Sequence, residues 1–490
     1  MGRHETKRAS DINVNHSDNT NRPDILRIIS QKRAGKGLAS SNEIDPRKRR
    51  AIGEDGKPLP RSVILVDRSG LLGGVKKAQQ LFEDGETSRE SENASHHQAD
   101  SHCAQREYEE IKRNLDKIAE KRLDNNKICV IGGGNAGAAF AADAKLSGRT
   151  VALYGTHLQD VIDNNNTLEI EGKKGFNGEV TLDVVTNNLI EATEGAKLLI
   201  CTIPTDKHKS MAKSLAPVLV DGQVVLLSPG ATGGVVEFKK VLKENGCTAD
   251  ILVVESQSIP YACRRAGHKV NISGIKTEVS CAGLPAEKMD EFFSLTKDIY
   301  PSFTPCDGGI WATSINNISI LFHPIPALLN MARMESGGSF NHYTEGCSPT
   351  VCKTIEKVDK ERLDLASAMG VSIPTVLEWL KINYNASGRN LYEALQNNEA
   401  YQAIKAPQLK NSDDKANLRY ITADVPCGLV PISCLAKKFE VKTPTIDLFI
   451  KLADLVYDTN FTASGRNLRQ LGLEDLSASE IRSMSKSSTT

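Results

Sequence analysis

A chain of 490 residues exceeds the size at which one hydrophobic core keeps growing, so it should divide into two folded domains with an accessory segment. With 39% hydrophobic and 25% charged residues the composition excludes a mainly disordered protein. A formal net charge of +0 excludes a whole-molecule electrostatic footprint for nucleic acid or an acidic membrane.

Residues 1–124 are rich in Ser, Asn, Asp, Lys and Arg and are read as a largely disordered extension. Inside it, RSVILVD from Arg61 to Asp67 reads as a short strand, and the segment from Gln105 to Leu123 carries helical charge patterning. The basic stretch ending at Arg50 reads as a solvated linker. Globular pattern begins at Lys127, where KICVIGGGNAGAAFAADAKLSGRTVALYG gives a strand, a glycine turn, an Ala-rich helix and a second strand. AKLLICTIP, QVVLLSPG and DILVVES follow as strands, separated by helical stretches. This alternation predicts an α/β Rossmann-type doubly wound sheet over 125–284. From Pro285 the texture turns to long amphipathic segments, which predict an all-α second domain over 285–482, with 483–490 as a disordered tail. ASGRNL occurs twice, at Ala386–Leu391 and Ala463–Leu468, where Ser387 and Ser464 are expected to cap helices and Gly388 and Gly465 to relieve tight turns.

Eleven cysteines, an odd number without a CxxC pair, read as free thiols of a reducing compartment, and no metal site is expected. No apolar run reaches the roughly 18 residues of a membrane span, and the opening MGRHETKRASDINVNHSDN lacks the apolar centre of a secretory signal. The expected location is cytoplasmic, with no membrane or nucleic-acid partner.

The chemistry concentrates in a few places. Gly132, Gly134 and Gly137 fit G-x-G-x-x-G between a strand and a helix, so they, with Asn135 and Ala136, are the candidate cofactor-binding residues. The first glycine allows the turn, the second admits the pyrophosphate, and the third lets the helix lie close to the sheet. After the second strand, Tyr154, Gly155, Thr156 and His157 stand where a ribose-binding acid is expected, and no Arg follows immediately. The cofactor is therefore NADPH or NADH. His323, before Pro324 in an apolar segment, is a candidate acid or base against the alternative of a core histidine. Arg419 and Asp424 lie together in NLRYITADVPCGLVP, where an Asp could orient an imidazole and an Arg could clamp a carboxylate, or the two could form a surface ion pair.

These motifs together resemble the octopine and nopaline (opine) dehydrogenase family from about Asn126 to Ile481: the GGGNAG turn, SIPYACRR from Ser258 to Arg265, the HP pair, the VDKERLDLASAMG helix, the RYITADVP block and the closing GRNLRQLGL. SIPYACRR is similar to the octopine synthases. The resemblance implies an NAD(P)H-dependent enzyme that joins an amino acid to a 2-oxo acid, with its site in a cleft between the two domains. It implies His323 as proton donor and acceptor, Asp424 as its partner and Arg419 as a carboxylate anchor. Ser258 is a candidate donor to the oxo acid against a turn-capping serine, and Arg264 and Arg265 share that ambiguity. The family commonly carries Glu beside the Asp, where this chain has Ala423. Two rivals remain: a hydroxy-acid dehydrogenase of the ketopantoate reductase or glycerol-phosphate dehydrogenase type, and a nucleotide sensor without catalysis. The partners implied are small molecules, and the oligomeric state is not legible.

Overall fold

A computed structural model describes residues 123–172 and 176–486. The extension with its strand at Arg61–Asp67, its basic linker and nearly all of its helical segment lies outside the described residues, as does the end of the tail.

The strands in chain order are β1 (Asp124–Ile131), β2 (Thr150–Tyr154), β3 (Thr167–Gly172), β4 (Gly178–Thr181), β5 (Val184–Thr186), β6 (Ala196–Cys201), β7 (Val224–Leu227), β8 (Leu252–Ser256), β9 (Tyr261–Ala266), β10 (Lys269–Ile275), β11 (Val279–Leu284) and β12 (Phe303–Pro305). Eight form one sheet in the order β12-β11-β8-β7-β6-β1-β2-β5. Neighbours are parallel except β8 and β11, which are antiparallel. The run of VVLL in β7 and LVVES in β8 is buried at every position, as a sheet covered on both faces requires. Chain order reverses at β1, between β2 and β6, and a sheet of this kind opens its ligand crevice beyond the carboxyl ends of the strands at that point. The sheet continues past residue 284, because β12 pairs with β11.

Helix α1 (Asn135–Leu146) follows the glycine turn and is buried almost all round, with Ala136, Ala138, Ala139, Ala141, Ala142 and Ala144 against its neighbours. The reason is a second sheet, β4-β3-β10-β9, that covers the helix from the other side. The SIPYACRR motif thus supplies most of β9. Its alternation is short and its sheet joins segments far apart in the chain, Glu169 opposite Lys269, so local pattern does not reveal it.

The Tyr261 hydroxyl of β9 donates to Asp143 of α1 at 2.5 Å, and burial pushes that carboxyl up to about 6 despite the bond. An acid raised in this way is bound to its proton more tightly in the folded state. Its contribution is therefore full below its unfolded value near 4 and is lost as pH rises through about 6. Asp143→Asn should accordingly melt above wild type at pH 7.5 by roughly 1–3 °C, from about 1–2 kcal/mol, and match it near pH 4. Melting curves at the two pH values check this.

The second part is helical. Among its helices, with α2 (Gly234–Glu244) still in the first part, are α3 (Gly309–Ile315), α4 (Ser319–Phe322), α5 (Pro324–Leu329), α6 (Pro349–Met369), α7 (Arg419–Thr422) and α8 (Pro444–Tyr457). The long α6 has local start and stop signals: Ser348 caps it, Pro349 opens it, and Gly370 closes it at φ 73°. The carboxylate of Glu361 on α6 accepts from the amides of Thr445 and Ile446 and so caps α8. The serines of the ASGRNL repeats are not the caps. Asn390 and Asn467 are, accepting from the amides of Glu393 and Gln470, because the helices start one residue later, at Leu391 and Leu468. Gly388 and Gly465 have no positive φ; they permit close approach, since a Cβ on Gly465 would lie 2.7 Å from the Pro426 carbonyl.

Two buried polar clusters join the parts. Glu255, at the end of β8, accepts from Ser314 at 2.6 Å and Thr313 at 2.7 Å, both on α3, and from the Val235 amide. Arg466 reaches back to Glu237 on α2 at 2.7 Å and to the carbonyls of Gly230 and Thr205. No helix among the described residues is long and apolar enough to cross a membrane.

Candidate active site

The glycine turn sits at the carboxyl end of β1. Gly132 takes φ +115°, a conformation that side chains disfavour. A Cβ on Gly137 would lie 1.6 Å from the Gly132 carbonyl oxygen, so only glycine lets α1 close onto the turn. A Cβ on Gly134 would meet nothing within 4 Å, which leaves that face of the turn open to a ligand. α1 has no side-chain cap and no acid in its first turn, and the amides of Asn135, Ala136 and Gly137 have no acceptor among the described residues. Such a terminus suits a pyrophosphate. Gly137→Ala should force the turn apart at about 1–3 kcal/mol and weaken NAD(P)H binding roughly 10–100-fold, read by fluorescence titration.

In the helical part, Pro324 has no amide to donate, and α4 gives way to α5 with His323 at the joint. Asp424 lies between α7 and a π-helical turn, Val425–Leu429, an irregularity that re-aims side chains near functional sites. His323 Nδ1 lies 2.8 Å from Asp424 Oδ2, with the side chains 25% and 15% exposed. With the carboxylate ionised, Nδ1 carries the proton and Nε2 is left for an incoming group.

Tyr420 stacks on the His323 ring at 4.3 Å and 13°. Tyr420 also faces His342, at 4.8 Å, whose imidazole burial pushes down to about 4 while its Nε2–H donates to the Phe322 carbonyl. His342 is thus a neutral spacer beside the candidate pair. Burial raises the Tyr420 phenol, and the nearby charges of Arg264 and Arg419 act against that. Arg419 is exposed, and its guanidinium makes no ion pair or hydrogen bond among the described residues, so it is available to an anion. Ala423 is 6% exposed and brings no carboxylate to the site.

No hydrogen bond or ring contact among the described residues joins Ser258 to these groups. Its buried hydroxyl, between β8 and β9, has no hydrogen-bond partner. Sequence reasoning missed Tyr420 and His342 as ring neighbours of His323. It also missed Thr202, whose hydroxyl donates to the carbonyls of Ile131 and Gly132 at 3.2 Å and braces the turn. None of the three carries a local signal. Among the described residues no group of three His, Cys, Asp or Glu side chains could hold a metal ion, and every described cysteine is a free thiol.

Residues 306–457 match the model of the NAD/NADP octopine/nopaline dehydrogenase alpha-helical domain, and residues 127–258 match that of the NAD-dependent glycerol-3-phosphate dehydrogenase N-terminus. The opine dehydrogenase of Arthrobacter sp. (strain 1C) is 36% identical over 365 residues, which are 74% of this chain and 99% of that protein. The chain belongs to the opine dehydrogenase family. It is an NAD(P)-dependent oxidoreductase with a Rossmann-type domain followed by an all-α domain. The Ocs protein of Agrobacterium vitis is 25% identical, over 72% of this chain and 98% of its own length. Octopine dehydrogenase in complex with NADH and agmatine shares the fold at a TM-score of 0.59 and 19% identity, over 74% of this chain and 99% of that one. Yersinopine dehydrogenase shares it at 0.58 and 16%, over 75% and 99%. The glycerol-phosphate dehydrogenase likeness is confined to the nucleotide-binding part.

Proposed function

We propose that this opine dehydrogenase condenses an amino acid with a 2-oxo acid such as pyruvate or 2-oxoglutarate, reduces the resulting imine to an N-(carboxyalkyl)amino acid, and runs the reverse oxidation. The observation that carries the reading is the His323–Asp424 contact, with Tyr420 stacked on the imidazole, in a chain of this family. Bound NAD(P)H supplies the hydride that the imine carbon accepts.

The residues divide the rest of the work. Asn135, Ala136 and Gly137 hold the pyrophosphate through free amides, Gly134 keeps that face of the turn open, and Gly132 gives the turn its shape. Arg419 clamps a substrate carboxylate, which fixes the reacting carbon relative to His323. His323 gives a proton from Nε2 to the carbinolamine oxygen as water leaves, and takes it back in oxidation. Asp424 holds Nδ1–H, which selects the tautomer and offsets the charge of the protonated ring. The Ser258 hydroxyl, otherwise unpartnered, donates to the oxo acid. The nucleotide belongs to the domain read at 125–284, whose sheet runs on to Pro305, and the substrates to the helical domain that follows. Free thiols and a substrate pair drawn from central metabolism support a cytoplasmic enzyme.

The test follows NADH and NADPH oxidation by absorbance with oxo acids alone, amino acids alone, and both together. Oxidation that needs both partners is expected. Oxidation with an oxo acid alone would make it a hydroxy-acid dehydrogenase, and cofactor binding without turnover would make it a sensor.

A further inference from the structure

A nucleotide's adenosine ribose lies beyond β2, where NAD-binding sheets present a carboxylate to its 2'-hydroxyl and NADP-binding ones present an arginine. Here the residues after β2 are Gly155, Thr156 and His157, the last two exposed. The first acid in reach is Asp160, and it is not free: Arg265 Nη2 binds its Oδ1 at 2.5 Å.

Arg265 comes from β9, on the second sheet, and reaches across to both edges of this crevice. Nη1 donates to the Gly133 carbonyl of the glycine turn at 2.8 Å and to the His157 carbonyl at 3.3 Å. The Arg265 backbone amide donates to Asn135 Oδ1 at 2.8 Å. The side chain is 11% exposed, and its Nε is buried without an acceptor. The guanidinium is therefore held in place before any ligand arrives, so little ordering is lost on binding.

We propose that Arg265 forms a 2'-phosphate subsite beside the glycine turn and that this chain takes NADPH in preference to NADH. The inference rests on nucleotide binding at that turn. A 2'-phosphate brings nearly two negative charges and a pair of acceptor oxygens that the planar guanidinium fork can bind together. Asp160, with a side chain 37% exposed, swings toward solvent and leaves the fork to the phosphate. NADH gains nothing comparable, because Asp160, the carboxylate that follows β2 in the chain, is already engaged by Arg265.

The test uses the full chain and two fragments, adenosine 2',5'-bisphosphate and adenosine 5'-monophosphate, titrated by calorimetry without substrates. The bisphosphate should bind about 10-fold tighter or more, the order expected of one added charge-assisted pair. Arg265→Gln should abolish that difference, with the bisphosphate losing far more affinity than the monophosphate. Asp160→Asn, which removes the competing carboxylate and keeps the loop, should enlarge it. Equal affinity of the two fragments for wild type would overturn the proposal. So would a loss of both ligands together in Arg265→Gln, since Arg265 would then act only on the shape of the turn. Failure of the opine reading would appear instead in the two-substrate assay and leave these titrations untouched.

Discussion

His323→Ala should lower kcat for the coupled reaction about 10²–10⁴-fold, the range set by losing a positioned acid and base. NAD(P)H affinity should stay within about two-fold, since a uniform binding loss would raise KM instead. Asp424→Asn tests the second half of the arrangement. Its carboxamide can donate to Nδ1, which would leave the proton on Nε2 and the lone pair facing the wrong way. A kcat loss of about 10²-fold or more is expected there with the fold intact. Steady-state kinetics in both directions, with cofactor binding measured separately, decide the matter. Wild-type kcat in His323→Ala would remove the histidine from the chemistry. A loss in Asp424→Asn as small as about two-fold would reduce Asp424 to a packing partner.

What the sequence disclosed follows from how local each feature is. The β1–α1–β2 unit was readable because strand, glycine turn and helix are contiguous, and Gly132 answers to its torsion and Gly137 to a clash with Gly132 five residues back. The strands beyond it were readable as apolar runs because the sheet is covered on both faces. The second sheet was not, because β3 and β10 meet only after the chain has crossed the first sheet. The same holds within the site. His323 and Asp424 were named through family motifs, but their 2.8 Å contact joins segments on either side of α6 and is a product of packing. The Tyr420 ring is beside Arg419 in sequence, yet nothing in the sequence says that it lies flat on an imidazole. The two ASGRNL copies make the point most sharply: Arg389 is exposed and pairs with Glu393 four residues on, whereas Arg466 is 1% exposed and crosses to the other domain.

Arg466 is where the largest loss of stability is expected. Its Nε donates to Glu237, its Nη1 to the Gly230 carbonyl and its Nη2 to the Thr205 carbonyl, all in the nucleotide-binding part. Burial pushes the His208 imidazole down to about 3, so His208 is neutral and its Nδ1 accepts from the same guanidinium at 3.3 Å. Arg466→Met fills much of the volume but strands the Glu237 carboxylate, which is 8% exposed, and leaves buried carbonyls without donors. Removing one partner of such a pair costs about 3–5 kcal/mol, which exceeds any exposed ion pair in the chain. Adding Glu237→Leu to that variant removes the orphaned charge and should restore roughly half of the loss, because much of the cost is an unpaired carboxylate rather than a missing attraction. Urea unfolding of the two single variants and the double variant measures this directly. If the double variant is as unstable as the sum of the singles, the carbonyls of Gly230 and Thr205, and not Glu237, are what Arg466 chiefly serves, and its role is to fix the loops that follow β6 and β7 against the helical domain.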